Sequence, residues 1–503
     1  MTLSEISTDL RAGGAQRSPG PEGGYDGHVR RRPSLRFHPA LIVVAGACAA
    51  LFHQAMHAGL SGDVFYQVAT GRWMLAHHTV ARHDVFSYTV AGRHWLDEEW
   101  GFQVLLAWLV AHVGAVSYWL VSAGAGVGAV LIALVNWKRA GAGWLWAATL
   151  GILAAAGLSV ELAPRPQNLS YLFFSVLLLL LRLARQHPAW LGAIPPLLLV
   201  WANVHGSFLL GLGILVLELV WSVLPPLKGR VQASAPLRRR AIALTLVSSL
   251  AATLVNPNGP GLIGYALHIS TSSQLSSVIA EWQSPNFHSL LLLVVIIAPV
   301  LLLIGLLAFS QTVFELGDVV LGCLLFLAAL HAVRFAPYFA LAACMVLARW
   351  CPIRRETIRP TFVTVPLAAA LVAALVAGAH VPAGAPQLGG GALGTPVAAV
   401  DFLKHQTGRV FTTYWWSDYL IYEHIPVFVD GRTDLYFGTD ILNTYVDVSE
   451  LTVNPDAIFR RWDVRWVMWD KRDAVSTYLS NDPHWQLERQ AGDALVFEHL
   501  GPW

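Results

Sequence analysis

Long apolar runs separated by short polar breaks dominate the chain from residue 39 to residue 380. A helix crosses a bilayer in about 20 apolar residues, and on that measure the pattern predicts about eleven spans. They lie at 39–58, 116–136, 144–160, 168–184, 190–204, 207–224, 241–256, 289–309, 317–333, 335–350 and 361–380. The fifth and sixth share one apolar run, broken by WANVHGS from Trp201 to Ser207. Between the first two spans the pattern changes. DVFYQVATGRWML, from Asp63, has the period of a helix lying along the interface, anchored by Trp73, and EEWGFQVLLAWLVAHV, from Glu98, reads as a second interfacial or re-entrant helix. After residue 381 the runs shorten. RVFTTY, VFVDGR and VRWVMWD read as strands, Pro396 to His405 as a helix, and WQLERQAGDALVFEH as a hairpin turning at Gly492-Asp493.

Basic residues orient these spans, because cytoplasmic loops carry the excess of Lys and Arg. Arg30, Arg31, Arg32 and Arg36 precede the first span, Lys138 and Arg139 follow the second, and Arg238, Arg239 and Arg240 precede the seventh. Arg349, Arg354, Arg355 and Arg359 precede the last, whereas the alternate loops hold only Arg72, Arg82, Arg93, Arg165 and Arg334. The expected protein is mainly α and polytopic in a plasma (inner) membrane, with residues 1–36 as a disordered cytoplasmic tail and 37–380 as the transmembrane domain. Residues 381–503 are expected to form a small extracytoplasmic α/β domain. Composition agrees: 55% of residues are hydrophobic and 13% charged, against about a quarter charged in soluble domains. The four cysteines, Cys48, Cys323, Cys344 and Cys351, offer no disulfide framework and no CxxC metal site.

The polar chemistry collects on the outer side. The first outer loop, 59–103, holds Asp63, Asp84, Asp97, Glu98 and Glu99 with several histidines. Later outer ends add Arg165, His205, Glu281 and Arg334, and ionisable groups at a membrane are functional candidates. Each has an ordinary alternative: an Arg at a span end snorkels, a His packs between helices, and Asp97-Glu98-Glu99 makes an acidic first turn for the helix that follows. Several outer loops delivering such groups to one depth form a constellation.

At GDVFYQVATGRW and HDVFSYTVAGRHWLDEEW the chain resembles the GT-C superfamily of polytopic glycosyltransferases. RPQNLSYLFF, WANVHGSFLLG, LVNPNGPGLIGY and VFVDGRTDLYFG resemble a bacterial membrane-protein group of that superfamily. Trp415-Trp416-Ser417-Asp418-Tyr419-Leu420 is similar to the WWDYG motif of its oligosaccharyltransferase branch, with Ser inserted and Leu in place of Gly. Val278 to Glu281 keeps the Ile and Glu of that branch's TIxE motif. The resemblance implies transfer of a sugar from a polyprenyl-phosphate-linked donor to a glycan, lipid or protein acceptor of the cell envelope. It makes Asp63 the catalytic acid of the first loop, with Tyr66 beside it, and Glu281 a second catalytic carboxylate. Arg334, Arg165 and His205 would meet the donor phosphate. Trp95, Trp100 and Trp282 would stack on sugar, and Asp430 and Arg432 would contact substrate from an outer domain that otherwise caps the site. Asp63 with Glu281 could also hold Mg²⁺ or Mn²⁺, since hard carboxylate oxygens suit both ions.

Two other functions fit the span pattern, a transporter or flippase and a non-catalytic envelope scaffold. A transporter predicts charges in mid-span and broken helices at the midplane, yet the spans are nearly free of charge apart from Glu218. A transferase requires Asp63, His205, Glu281 and Arg334 to converge on one outer cavity; a scaffold does not.

Overall fold

The computed structural model describes residues 40–60, 62–223, 231–232, 237–271, 280–309, 314–350, 394 and 396–503. The expected tail 1–36, the last expected span 361–380 and Val278-Ile279 of the TIxE-like stretch lie outside these residues.

The helices relevant to the site are α1 (Ala40–Met56), α2 (Asp63–His77), α3 (Trp100–Val113), α4 (Ser117–Arg139), α5 (Trp144–Leu158), α6 (Gln167–Gln186), α7 (Ile194–Ala202) and α8 (Phe208–Trp221). They continue with α9 (Arg239–Thr253), α10 (Gly261–Thr271), α11 (Leu290–Phe309), α12 (Leu316–His331) and α13 (Ala336–Trp350). Among the described residues, the runs Ser117–Arg139, Trp144–Glu161, Gln167–Gln186, Leu290–Phe309 and Val333–Trp350 are long and apolar enough to cross a membrane. Other expected spans fold as shorter helices. α7 is short because Pro195-Pro196 sets its first turn and the chain leaves the helix after Ala202 into the WANVHGS turn. α11 contains a π-helical stretch, Leu293–Ile297, next to Pro299, whose missing N–H and ring displace the ordinary α-helical bond.

Small residues set how closely the bundle packs. α13 crosses α5 at Gly157, where an added Cβ would collide with the Ala340 methyl. At the other end of the bundle from α2 and α3, Arg185 pairs with Glu218 at 2.7 Å and Arg349 with Asp318 at 2.6 Å and with Glu315. The Glu218 charge therefore has a partner and belongs to a network tying α6, α8, α12 and α13.

α2 and α3 both form where the periodicity predicts them. They cross at Gly71, where a Cβ would run into the Gln103 backbone carbonyl and the Ala107 methyl. Neither obstacle can rotate away. Gly71→Ala is therefore expected to lower stability by ~1–3 kcal/mol, read as a lower apparent melting temperature of the detergent-solubilised protein; an unchanged melt would refute the close crossing.

The C-terminal part has a four-stranded sheet of β1 (Arg409–Thr412), β2 (Val464–Asp470), β3 (Trp485–Ala491) and β4 (Ala494–His499). The order is β1-β2-β4-β3, with β1 parallel to β2 and the other pairs antiparallel. The hairpin turns at Gly492, φ +65°, as the sequence predicts. VFVDGR does not join this sheet. It runs beside the first loop instead, with Tyr88 N–H donating to the Val427 carbonyl at 3.0 Å, Val427 N–H to the Phe86 carbonyl at 3.2 Å and Thr89 Oγ1 to the Phe428 carbonyl at 2.6 Å. The WWSDY stretch is helix α14 (Tyr414–Tyr422), and it packs on α2 through Phe65 against Tyr419, centroids 5.0 Å apart. Arg72 adds a hydrogen bond to the Tyr422 hydroxyl at 2.8 Å. First loop and C-terminal part are thus one packed unit.

Candidate active site

A cavity of about 260 Å³ opens where α2, the turn before α3, the start of α6, the α7–α8 turn, α10 and the start of α13 meet. Asp63 begins α2, so its carboxylate reaches the cavity mouth. Arg165, just before α6, lies across from it with Nη2 3.2 Å from Asp63 Oδ2. The same guanidinium contacts Glu281 through Nη1. Arg334 approaches the other Glu281 oxygen at 3.6 Å and lies over the Trp282 ring, 4.2 Å from its centroid. Two carboxylates and two guanidinium groups therefore alternate along one wall.

His205 comes from the WANVHGS turn and is 7% exposed. The Ser207 backbone N–H donates to its Nδ1 at 3.2 Å, which leaves the neutral ring's proton on Nε2. Ser207 Oγ sits 2.8 Å from the same nitrogen and also accepts from the Tyr338 hydroxyl at 3.1 Å. Trp100 and Gly101 latch this turn to the start of α3: Trp100 Nε1 donates to Asn203 Oδ1 at 2.9 Å, and Gly101 N–H to the Asn203 carbonyl at 3.0 Å.

The latch brings in residues that the sequence reading placed elsewhere. Asp97 alone behaves as the helix-start acid, accepting from Glu99 N–H at 3.1 Å and from Gln103 Nε2 at 3.0 Å. Glu98 and Glu99 line the cavity. Burial pushes the Glu98 carboxyl up to about 7, with Asp434 adding to the rise and Arg334 opposing it. Glu99 is raised well above the usual carboxylate range by burial first and by Glu98 next. Gln67, Gln167, Tyr171 and Tyr338 add uncharged polar groups to the lining. Gly206 of WANVHGS gives the Glu98 carboxylate its present place, since a Cβ there would land on it and move it aside.

Of the expected site residues, Asp63, Tyr66, Arg165, His205, Glu281, Trp282 and Arg334 line the cavity, whereas Trp95, Trp100, Asp430 and Arg432 do not. Asp430 and Arg432 are 0% and 1% exposed. Arg432 Nη2 is 2.7 Å from Asp430 and 2.6 Å from Asp84 of the first loop, and the Arg432 guanidinium lies 4.9 Å from the Trp95 ring centroid. That set of residues binds the C-terminal part to the loop rather than facing a ligand. Trp100 is occupied with Asn203. Asp418, the acid of the WWSDY helix, is also buried and accepts Gly431 N–H at 2.8 Å. It clasps the DGR loop.

No family model and no curated protein sequence matches the chain. Solved structures do. The oligosaccharyltransferase AglB from Archaeoglobus fulgidus, in complex with an inhibitory peptide and a dolichol-phosphate, superposes with a TM-score of 0.62 at 11% identity, over 86% of this chain and 69% of that one. ArnT from Cupriavidus metallidurans bound to undecaprenyl phosphate gives 0.54 at 15% identity, over 92% of this chain and 99% of that one. The chain has the GT-C fold. Both of these GT-C neighbours are glycosyltransferases, and at such identities the likeness concerns fold.

One AglB structure carries zinc and sulfate. Here the pair expected to hold a divalent ion, Asp63 and Glu281, is bridged by Arg165. Among the described residues no group of three or more His, Cys, Asp or Glu side chains is arranged to hold a metal. A guanidinium stands between the carboxylates where the ion would sit, so the residues as arranged do not fit one.

Proposed function

We propose that this protein is a membrane glycosyltransferase that moves a sugar from a polyprenyl-phosphate-linked donor to an acceptor hydroxyl at the extracytoplasmic face. The reading rests on one observation: Asp63, Arg165, His205, Glu281 and Arg334, drawn from distant parts of the chain, line a single cavity on a GT-C fold. A scaffold protein has no need of that convergence. The charges at the opposite end of the bundle are paired with one another, which gives a transporter reading no support.

In the reaction the bond between the sugar anomeric carbon and the phosphate oxygen breaks, and the acceptor oxygen forms the new bond to that carbon. The phosphate leaves as a weak base and needs cations more than a proton. Arg165 and Arg334 supply them, and the His205 Nε2–H can donate to a phosphate oxygen. Asp63 takes the acceptor proton. In the resting arrangement Asp63 is paired with Arg165; an arriving phosphate competes for that guanidinium and leaves the carboxylate to act as base. Glu281 keeps both guanidinium groups in place from behind.

The test is Asp63→Asn in the native host, with envelope glycans and lipid-linked sugars compared by mass spectrometry at matched protein level. The expected result is loss of one glycan with accumulation of its lipid-linked precursor. An unchanged profile, in a host where deleting the gene does change it, would remove Asp63 as the base.

A further inference from the structure

Three buried polar atoms on the cavity wall have no hydrogen-bond partner among the described residues: Gln67 Oε1, Glu98 Oε2 and the Tyr171 hydroxyl. Gln67 is 2% exposed and Tyr171 1%. Native proteins rarely leave such groups unsatisfied, because each one costs its lost hydration. All three belong to residues that line the cavity, where a bound ligand could satisfy them. None of them belongs to the arginine–carboxylate row assigned above to phosphate and proton transfer.

Their chemistry constrains that ligand. Gln67 donates one amide N–H to Glu99 Oε2 at 3.0 Å, and its carbonyl oxygen, an acceptor, is left without a partner among the described residues. Glu98 Oε2 accepts when ionised, and Gly206 exists in a form that makes room for it. Tyr171, held edge-on against Tyr338 with centroids 4.9 Å apart, can donate or accept. The wall asks mainly for donors. Hydroxyl groups supply them, while a carboxylate or sulfate would bring only acceptors against Gln67, Glu98 and neighbouring Glu99.

We propose that Gln67, Glu98 and Tyr171 form a subsite that reads the hydroxyl groups of the transferred sugar, and that this sugar carries no acidic group. The proposal rests on the transferase reading above and narrows its donor class.

The test uses the purified full chain in nanodiscs and measures dissociation constants for four probes. They are bare undecaprenyl phosphate and the same carrier bearing a neutral hexose, an amino-hexose or a hexuronic acid. The wild type is expected to bind the neutral hexose carrier ~10-fold more tightly than the bare carrier, with no gain for the uronic acid, from one or two hydrogen bonds to uncharged groups. Tyr171→Phe and Gln67→Met should each lose most of that gain, about fivefold, with bare-carrier affinity unchanged. Glu98→Gln, which keeps an acceptor oxygen, should retain it, and Gly206→Ala, which pushes the Glu98 carboxylate aside, should not. A hexose carrier bound no better than the bare one would overturn the subsite. So would variants that weaken the bare carrier equally. Preference for the amino-hexose, lost in Glu98→Gln, would show that Glu98 reads an ammonium and would overturn the hydroxyl reading. Failure of every carrier to bind would instead overturn the transferase reading, and the subsite with it.

Discussion

Arg165→Ala is expected to lower sugar transfer by ~10²–10³-fold or more, the scale of losing one preorganised charge at the leaving group. The loss should exceed that of an ordinary phosphate ligand because this guanidinium has two further contacts, Asp63 and Glu281. Without it the two carboxylates lose the cation between them, and their negative charge repels an anionic donor. Arg165→Lys is the informative companion. Lys keeps the charge as a point ammonium but lacks the planar fork that touches both acids at once, so an intermediate loss is expected. Activity would be followed as release of the polyprenyl-phosphate carrier in membranes containing equal amounts of each variant. Wild-type rates for Arg165→Ala would sink the assignment of the cavity as the transfer site.

The second large effect concerns stability. Arg432→Met is expected to cost ~3–5 kcal/mol, the usual penalty for stranding buried partner charges. Here Asp84 and Asp430 would both be stranded, each with a fully buried side chain. The residue-432 backbone N–H, at 3.0 Å, and the Tyr436 hydroxyl, at 2.7 Å, would still donate to Asp430, and Ser87 to Asp84, but none of these donors carries a charge. Combining Arg432→Met with Asp84→Asn and Asp430→Asn removes the stranded charges, so the triple variant should recover part of the loss. The readout is the apparent melting temperature of solubilised protein, together with protease susceptibility of the 80–95 segment. A single variant that melts like wild type would show that the buried ion pairs do not hold the first loop to the C-terminal part.

Much of the scaffold was legible in the sequence for local reasons. The apolar period of DVFYQVATGRWML and EEWGFQVLLAWLVAHV marked two helices, and both are present as α2 and α3. The Gly-Asp hairpin followed from turn chemistry alone. VFVDGR misled because its composition is that of a strand, whereas its backbone partners lie in residues 86–89, more than 300 positions away. Trp95 misled in a similar way. An aromatic face suits a sugar and a guanidinium equally, and composition cannot say that Arg432 has already taken it.

The site divides along the same line. Asp63, Arg165, His205, Glu281 and Arg334 stood out in the sequence only as a set, because each alone has an ordinary reading whereas several ionisable groups at the ends of apolar runs form a constellation. Their pairing did not, since Arg165 chooses Asp63 and Glu281 through contacts that only the assembled helices create. Glu98 and Glu99 read locally as the acidic start of a helix; they become cavity residues because Trp100 and Gly101 bind the Asn203 turn and bring Gly206 up against Glu98. By itself, then, the sequence determined the apolar helices, the gathering of polar residues at their ends and the C-terminal hairpin, all of which follow from nearest-neighbour chemistry and periodicity. Only the tertiary structure decided which charges neutralise one another, which polar atoms are left without a partner and which carboxylates face the cavity, because burial and electrostatic partnership are properties of residues distant in the chain.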